Sequence, residues 1–179
     1  MRWTIKPKPD PSKVARLSKE LAVDSTTSFL LAQRGIETFE EAKNFFRPDL
    51  NDLHDPFLMK DMEKAVSRIE EAIENQENIL VYGDYDVDGT TSVALMSSYL
   101  LSFYPNVATY IPDRYDEGYG ISYKGIDYAE DNNFSLIIAL DCGIKAIDKV
   151  AYASKKGVDF VICDHHRPGA EIPKAKAVL

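Results

Sequence analysis

The sequence predicts an α/β domain built on a mostly parallel sheet flanked by helices, preceded by a small N-terminal helical region. Three observations carry this expectation. From residue 78 onward, short apolar runs of strand length alternate with segments of helical periodicity, the order that repeated strand–helix–strand units produce. The run Leu136–Leu140 is apolar at every position, as a strand covered on both faces must be. Acidic residues follow directly on several strand ends, where an open parallel sheet presents its ligand crevice.

Taken in order, residues 1 to 14 are rich in Lys and Pro, and Pro7, Pro9 and Pro11 argue for an extended arm there. Ser25 or Thr26 is placed to cap a short helix through Gln33 that ends at Gly35, and Thr38 with Glu41 forms a capping-box pattern opening a second helix through Phe46. Pro48 and Asp55-Pro56 break the chain, so residues 1–56 read as an arm with accessory helices and 57–179 as the main domain. Met62, Ala65, Val66, Ile69, Ala72 and Ile73 then recur at helical spacing, which predicts a helix lying against a sheet. Asn78 to Tyr82 forms a first strand, and Thr90 or Thr91 opens an apolar helix reaching about Phe103. Val107 to Ile111 is the second strand, Ser122 caps a helix to about Asn132, and Leu136–Leu140 is the third strand. A helix from Ala146 to Lys156 is stopped by Gly157, Phe160 to Cys163 is a fourth strand, and Lys176 to Leu179 begins a fifth. Ending in a strand start, the chain reads as a domain truncated at its C-terminal end and before any second domain.

Composition narrows the function classes. With 179 residues, 45% of them apolar, the chain can bury one sizeable core. A net charge of −8 argues against a polyanion-binding surface spread over the whole domain. Five of the acids, Asp84, Asp86, Asp88, Asp141 and Asp164, lie in strand-end motifs, however, and a bound metal would neutralise them, so acidity does not reject a nucleic-acid substrate. No apolar run has membrane-spanning length, and the first residues, MRWTIKPKPDPSK, lack a signal-peptide core. A cytoplasmic location and no membrane partner are expected. Cys142 and Cys163 have the spacing of neither a disulfide framework nor a zinc site, which fits a reducing compartment.

Three strands deliver acids to one edge: Asp84-Tyr-Asp-Val-Asp-Gly89 after the first, Asp141-Cys-Gly143 after the third, and Asp164-His165-His166 after the fourth. Each has a plain structural alternative, as a helix cap, a solvated turn or surface histidines. Their convergence in one crevice argues against all three. Carboxylates packed together without compensation repel one another and resist ionisation, and a divalent cation removes that cost. Oxygen donors with one or two imidazoles suit Mn²⁺ or Mg²⁺, and a pair of such ions activates water for phosphoester hydrolysis. If extended, Asp84, Asp86 and Asp88 would share one side, and Gly89 would permit a sharp turn into a helix at Thr90 whose N-terminus faces the phosphate.

These motifs resemble a known family. Asp84–Gly89 resembles motif I of the RecJ branch of the DHH phosphoesterase superfamily, Asp141–Gly143 resembles motif II, and Asp164-His165-His166 is similar to the triplet that names the superfamily. The loop Ile111–Ile121 and the stretch Leu53–Met62 also look RecJ-like. The resemblance implies a DHH-type fold with Rossmann-like layering and metal-dependent 5′-to-3′ exonuclease action on single-stranded DNA in repair and recombination. It implies Asp86, Asp88, Asp141 and His165 as ligands of Mn²⁺ or Mg²⁺, two ions in the complete enzyme, with Asp84 a neighbouring or additional ligand. His166 and Arg114 would contact substrate phosphate, and His166 would join the ligands in catalysis; Asp164 either binds metal or orients its neighbours. Partners implied are single-stranded DNA, a single-stranded-DNA-binding protein and a helicase. Because such enzymes continue with a further acidic ligand, a second domain and often an oligonucleotide-binding barrel, this chain is expected to fold but to be weakly active or inactive alone.

Other readings compete. Cyclic-dinucleotide, short-oligonucleotide and pyrophosphate hydrolases of the superfamily tend to carry a His before motif I, where this sequence has Val81, Tyr82 and Gly83. Asp86-Val-Asp-Gly-Thr90 also fits a haloacid-dehalogenase nucleophile motif, which would leave His165 and His166 unexplained. A non-catalytic metal- or nucleotide-binding module would place acids at strand ends without needing paired histidines.

Overall fold

The computed structural model describes residues 3–179, which fall into two compact units, one ending at His54 and one spanning Asp55–Leu179. The first unit is helical: α1 (Pro11–Leu21), α2 (Ser25–Gln33) and α3 (Phe39–Phe46), followed by a 3₁₀ turn at Leu50–Asp52. α1 corrects the expected arm, which extends only as far as Asp10. Pro11 starts the helix instead of preventing it, since a first-turn residue needs no N–H partner, and the Asp10 side chain accepts from Ser12 N at 2.8 Å. The cap of α2 is likewise Asp24, not Ser25 or Thr26, and accepts from Thr26 N and Thr27 N at 2.8 and 3.0 Å. The Thr38–Glu41 capping box of α3 forms as expected. Leu17, Leu31 and Ala42 are the buried apolar contacts among these helices.

The second unit is the predicted α/β domain. Its elements run α4 (Met62–Glu74), β1 (Asn78–Gly83), α5 (Val87–Leu101), β2 (Val107–Tyr110), α6 (Tyr123–Asp131), β3 (Phe134–Leu140), α7 (Ile147–Lys155), β4 (Asp159–Cys163) and β5 (Ala177–Val178). The five strands pair in the order β2-β1-β3-β4-β5, all parallel. Strand order therefore reverses between β1 and β3, and the loops leaving those two strands open a crevice at the carboxyl edge.

Both faces of the sheet are covered, which accounts for its unbroken apolar strands. On one face Leu80, Tyr82, Ile137, Phe160 and Ile162 pack with Ile126 and Ala129 of α6 and Val150 and Ala153 of α7. On the other, Ile79, Val81, Leu136, Ile138 and Val161 pack with Ala65 and Ala72 of α4 and Val93 and Leu100 of α5. Each fully buried large side chain contributes roughly 1.5–3 kcal/mol through removal of apolar surface from water. No helix among the described residues is long and apolar enough to cross a membrane.

The opposite edge of the sheet is held by charge. Arg68 of α4 donates to Asp159 Oδ2 at 2.8 Å and Glu77 Oε2 at 2.7 Å, joining α4 to the amino ends of β1 and β4. Burial works to raise the Glu77 carboxyl, but the Arg68 guanidinium and the Ser135 hydroxyl outweigh it and hold the group below its ordinary range. Removing one partner strands buried charge, a larger loss than the pair's net worth. Arg68→Met is expected to cost about 2 kcal/mol in urea unfolding, less than for a fully buried pair because both acids retain solvent contact. Cation affinity at the far edge should be unchanged.

Candidate metal centre

β1, β3 and β4 end side by side, and each delivers an acid to the crevice. Asp84 follows β1 and is fully buried. Its Oδ1 accepts from Gly120 N at 3.3 Å, while its buried Oδ2 has no hydrogen-bond partner. An orphaned carboxylate oxygen costs several kcal/mol unless a donor or cation meets it. Asp141 follows β3, its backbone N–H held by Cys163 O at 2.8 Å. It adopts a left-handed conformation, φ +60°, which Asp tolerates better than most residues. Its carboxylate is nearly buried and lies 3.1 Å from His165 Nε2.

The first motif is folded differently from the expectation. α5 begins at Val87, not near Thr90, because Asp86 is its cap and accepts from Gly89 N at 2.9 Å. Asp88 therefore stands in the first helical turn, and the three acids do not alternate along an extended strand. Asp84 is buried while Asp86 and Asp88 are exposed. Gly89 also has another role than the expected turn. It lies inside α5, where a Cβ would come within 2.4 Å of Asp84 O and 2.6 Å of Asp84 N. Absence of a side chain lets the helix N-terminus press against the backbone carrying the buried acid, and the helix dipole then favours negative charge at that spot.

After β4, Asp164 spends its oxygens on orientation. Oδ2 accepts from Ile144 N at 2.9 Å, and Oδ1 accepts from His166 N at 2.9 Å and His166 Nδ1 at 2.8 Å. Burial alone would raise the Asp164 carboxyl, but these bonds outweigh it and lower it. Hydrogen bonding to Asp164 in turn raises the His166 imidazole. With Nδ1–H given to Asp164, His166 turns Nε2 to the crevice. Replacing Asp164 by Asn should move the His166 titration downward, read by NMR, and weaken cation binding or any hydrolysis by roughly 10- to 100-fold.

Asp141, His165 and His166 form one group whose donor atoms lie within 4.8 Å of one another. His166 thus sits among the potential ligands as well as facing the crevice. Asp86 and Asp88 lie outside that group but close enough that, after burial, their charges raise the Asp141 carboxyl against the lowering pull of His165 and His166. An acid pushed up by burial and like charges is what a divalent cation relieves. These donors are oxygens and imidazole nitrogens, which fits Mn²⁺ or Mg²⁺. The thiols do not compete: burial raises Cys163 to about 11 and Cys142 further.

Arg114 stands apart from the acids, its guanidinium 5.2 Å from the centroid of the Tyr85 ring. The alternative pairing with Asp116 or Glu117 is absent among the described residues; Lys124 takes Asp116, and Tyr110 and Asp113 N take Glu117. Since Tyr85 lies between Asp84 and Asp86, the cation is parked beside the first motif. Sequence reasoning missed Tyr119, whose hydroxyl is 3.3 Å from His166 Nε2. One signal for it existed: Tyr119 is flanked by Gly118 and Gly120, both at positive φ, +82° and +77°, which turn the loop back over Asp84.

A parallel α/β domain with carboxylates and imidazoles gathered at the carboxyl edge of its sheet defines a class of domain whose donor set suits a divalent cation. More narrowly, the chain belongs to the DHH family: the family described as "DHH family, N-terminal domain" matches residues 78–179. The single-stranded-DNA-specific exonuclease RecJ of Bacillus subtilis (strain 168) is 42% identical over 179 residues, 100% of this chain and 23% of that protein. The crystal structure of exonuclease RecJ bound to manganese is similar at 32% identity and TM-score 0.62, covering 67% of this chain and 31% of that one. RecJ from Thermus thermophilus in complex with Mn²⁺ shares the fold at TM-score 0.73 and 24% identity, over 96% of this chain and 24% of that one. The chain spans about a quarter of the length of the curated relatives it matches. Family membership overturns the haloacid-dehalogenase alternative, in which Asp86 would be a phosphoryl-accepting nucleophile.

Proposed function

We propose that this chain supplies the cation-binding, catalytic part of an exonuclease that hydrolyses the phosphodiesters of single-stranded DNA from the 5′ end. The observation that carries the reading is the Asp141–His165–His166 group at the carboxyl ends of β3 and β4, with the orphaned Asp84 oxygen at the end of the adjoining strand β1. Its identity to an exonuclease named for single-stranded DNA and its likeness to a manganese-bound relative support substrate and cofactor. Residues 57–179 are the catalytic domain in this reading, and 1–56 an accessory region.

Asp84, Asp86, Asp88, Asp141 and His165 would hold Mn²⁺ or Mg²⁺, two ions in the complete enzyme. The ions, when bound, acidify a water and neutralise charge developing on the phosphoryl oxygens. His166, oriented by Asp164 and carrying a raised proton affinity, donates from Nε2 to a phosphate oxygen. Arg114 leaves the Tyr85 face to take a neighbouring phosphate, where its planar fork of donors fits two oxygens. The Asp86 cap and the Gly89 contact keep the α5 N-terminus directed at the same place. Action on DNA in repair and recombination, a cytoplasmic location, and a single-stranded-DNA-binding protein and a helicase as further partners complete the proposal.

The test is release of nucleotides from 5′-labelled single-stranded DNA. Hydrolysis should be slow for this chain, require Mn²⁺ or Mg²⁺, and vanish with EDTA. Equal release with and without the cation, or from duplex and single strands alike, would overturn the reading.

A further inference from the structure

Beside His166 lies a cleft of about 230 Å³ that neither His165 nor Asp141 lines. It is lined by Tyr119, by the Gly143–Ala146 segment leading into α7, which includes Lys145, and by Lys149, Asp164 and His166. We infer that this cleft is the subsite for the base and sugar of the nucleotide whose phosphate His166 engages, with Tyr119 as the stacking wall. The inference rests on the reading above and names which part of the substrate the domain itself recognises.

Several observations converge on it. Tyr119 is 54% exposed although it belongs to an aromatic cluster, edge-on to both Tyr85 and His166 at centroid separations of 6.1 and 6.3 Å. The two perpendicular contacts hold the ring in place and still leave about half of the residue exposed. A half-exposed aromatic ring fixed beside a charged centre offers a stacking surface to a ligand. Nucleobases are the apolar faces that accompany phosphates in single strands, and stacking on Tyr is tolerant of base identity. The 3.3 Å contact from the Tyr119 hydroxyl to His166 Nε2 fixes the spacing: a base on this ring lies next to the imidazole that meets its phosphate. The exposed Lys145 ammonium supplies positive charge to an otherwise acidic edge.

The test compares deoxyadenosine 5′-monophosphate with deoxyribose 5-phosphate, which carries the same phosphate without a base. Binding of each to the Mn²⁺-loaded protein is measured by calorimetry, with Tyr119→Phe and Tyr119→Leu alongside. The base should strengthen binding by roughly tenfold or more; read as the ratio of the two affinities within each variant, that gain should persist in Tyr119→Phe and be lost in Tyr119→Leu. Equal affinity of the two ligands, no binding of the nucleotide, or a gain that survives in Tyr119→Leu overturns the subsite. Base discrimination together with cation-independent release from 5′-labelled DNA would sink the exonuclease reading and keep the subsite; cation-dependent release without discrimination would do the reverse.

Discussion

Replacing Asp141 by Asn is expected to abolish high-affinity Mn²⁺ binding and reduce hydrolysis by roughly a thousandfold or more, the size that follows from losing several kcal/mol of charge stabilisation. Asn has nearly the same shape and tolerates the left-handed backbone that Asp141 adopts at φ +60°, so the change isolates charge from fold. It should also make the metal-free protein more stable. The Asp141 carboxyl is raised by burial and by Asp86 and Asp88. For an acid raised in the folded state, the native form holds the proton longer than the unfolded chain. Stability therefore declines as pH rises from the ordinary carboxylate range through the folded-state value, and the loss is complete above it. At neutral pH Asn removes that penalty, and Mn²⁺ removes it in the wild type. Thermal unfolding with and without Mn²⁺ reads both effects. A large Mn²⁺-dependent stabilisation remaining in Asp141→Asn would show that the cation sits elsewhere.

Gly89→Ala should be the most damaging conservative change in the domain. The added Cβ meets backbone atoms of Asp84 at 2.4 and 2.6 Å, and backbone cannot rotate away as a side chain can. The α5 N-terminus must retreat from β1, at a cost of about 2–4 kcal/mol given the close packing there. The same retreat moves Asp84, Asp86 and Asp88 together. A displacement of about 1 Å is enough to lose roughly a hundredfold in rate. Ala is a better helix former than Gly, so on local propensity alone the variant would be stabilised. Urea unfolding decides the sign: an unchanged or raised midpoint would mean that α5 is not pressed on Asp84.

Much of this protein was legible in its residues. β3 was readable because both faces of the sheet are covered and every side chain from Leu136 to Leu140 is buried, which leaves a continuous apolar run. α3 was readable because Thr38 and Glu41 satisfy each other's end of the helix locally. α1 was misread because Pro11 signals a break along most of a helix and a start at its first turn, and only the neighbouring Asp10 distinguishes the two. The α5 boundary was misplaced because Asp86, read only as an acid for chemistry, is simultaneously a cap. Tyr119 was missed because its importance depends on His166, 47 residues away.

The sequence by itself determined the parallel α/β class, the strands that end in acids and the chemistry those acids favour, since periodicity and donor type are local properties of the chain. Tertiary structure decided which acids share a site. It buried Asp84 with one oxygen unmatched, gathered Asp141 with His165 and His166, gave Asp164 an orienting role and laid Tyr119 beside His166. Those outcomes depend on strand order and on how closely α5 approaches β1. A backbone contact made by a glycine, or a carboxylate's loss of water, exists only after distant segments have packed.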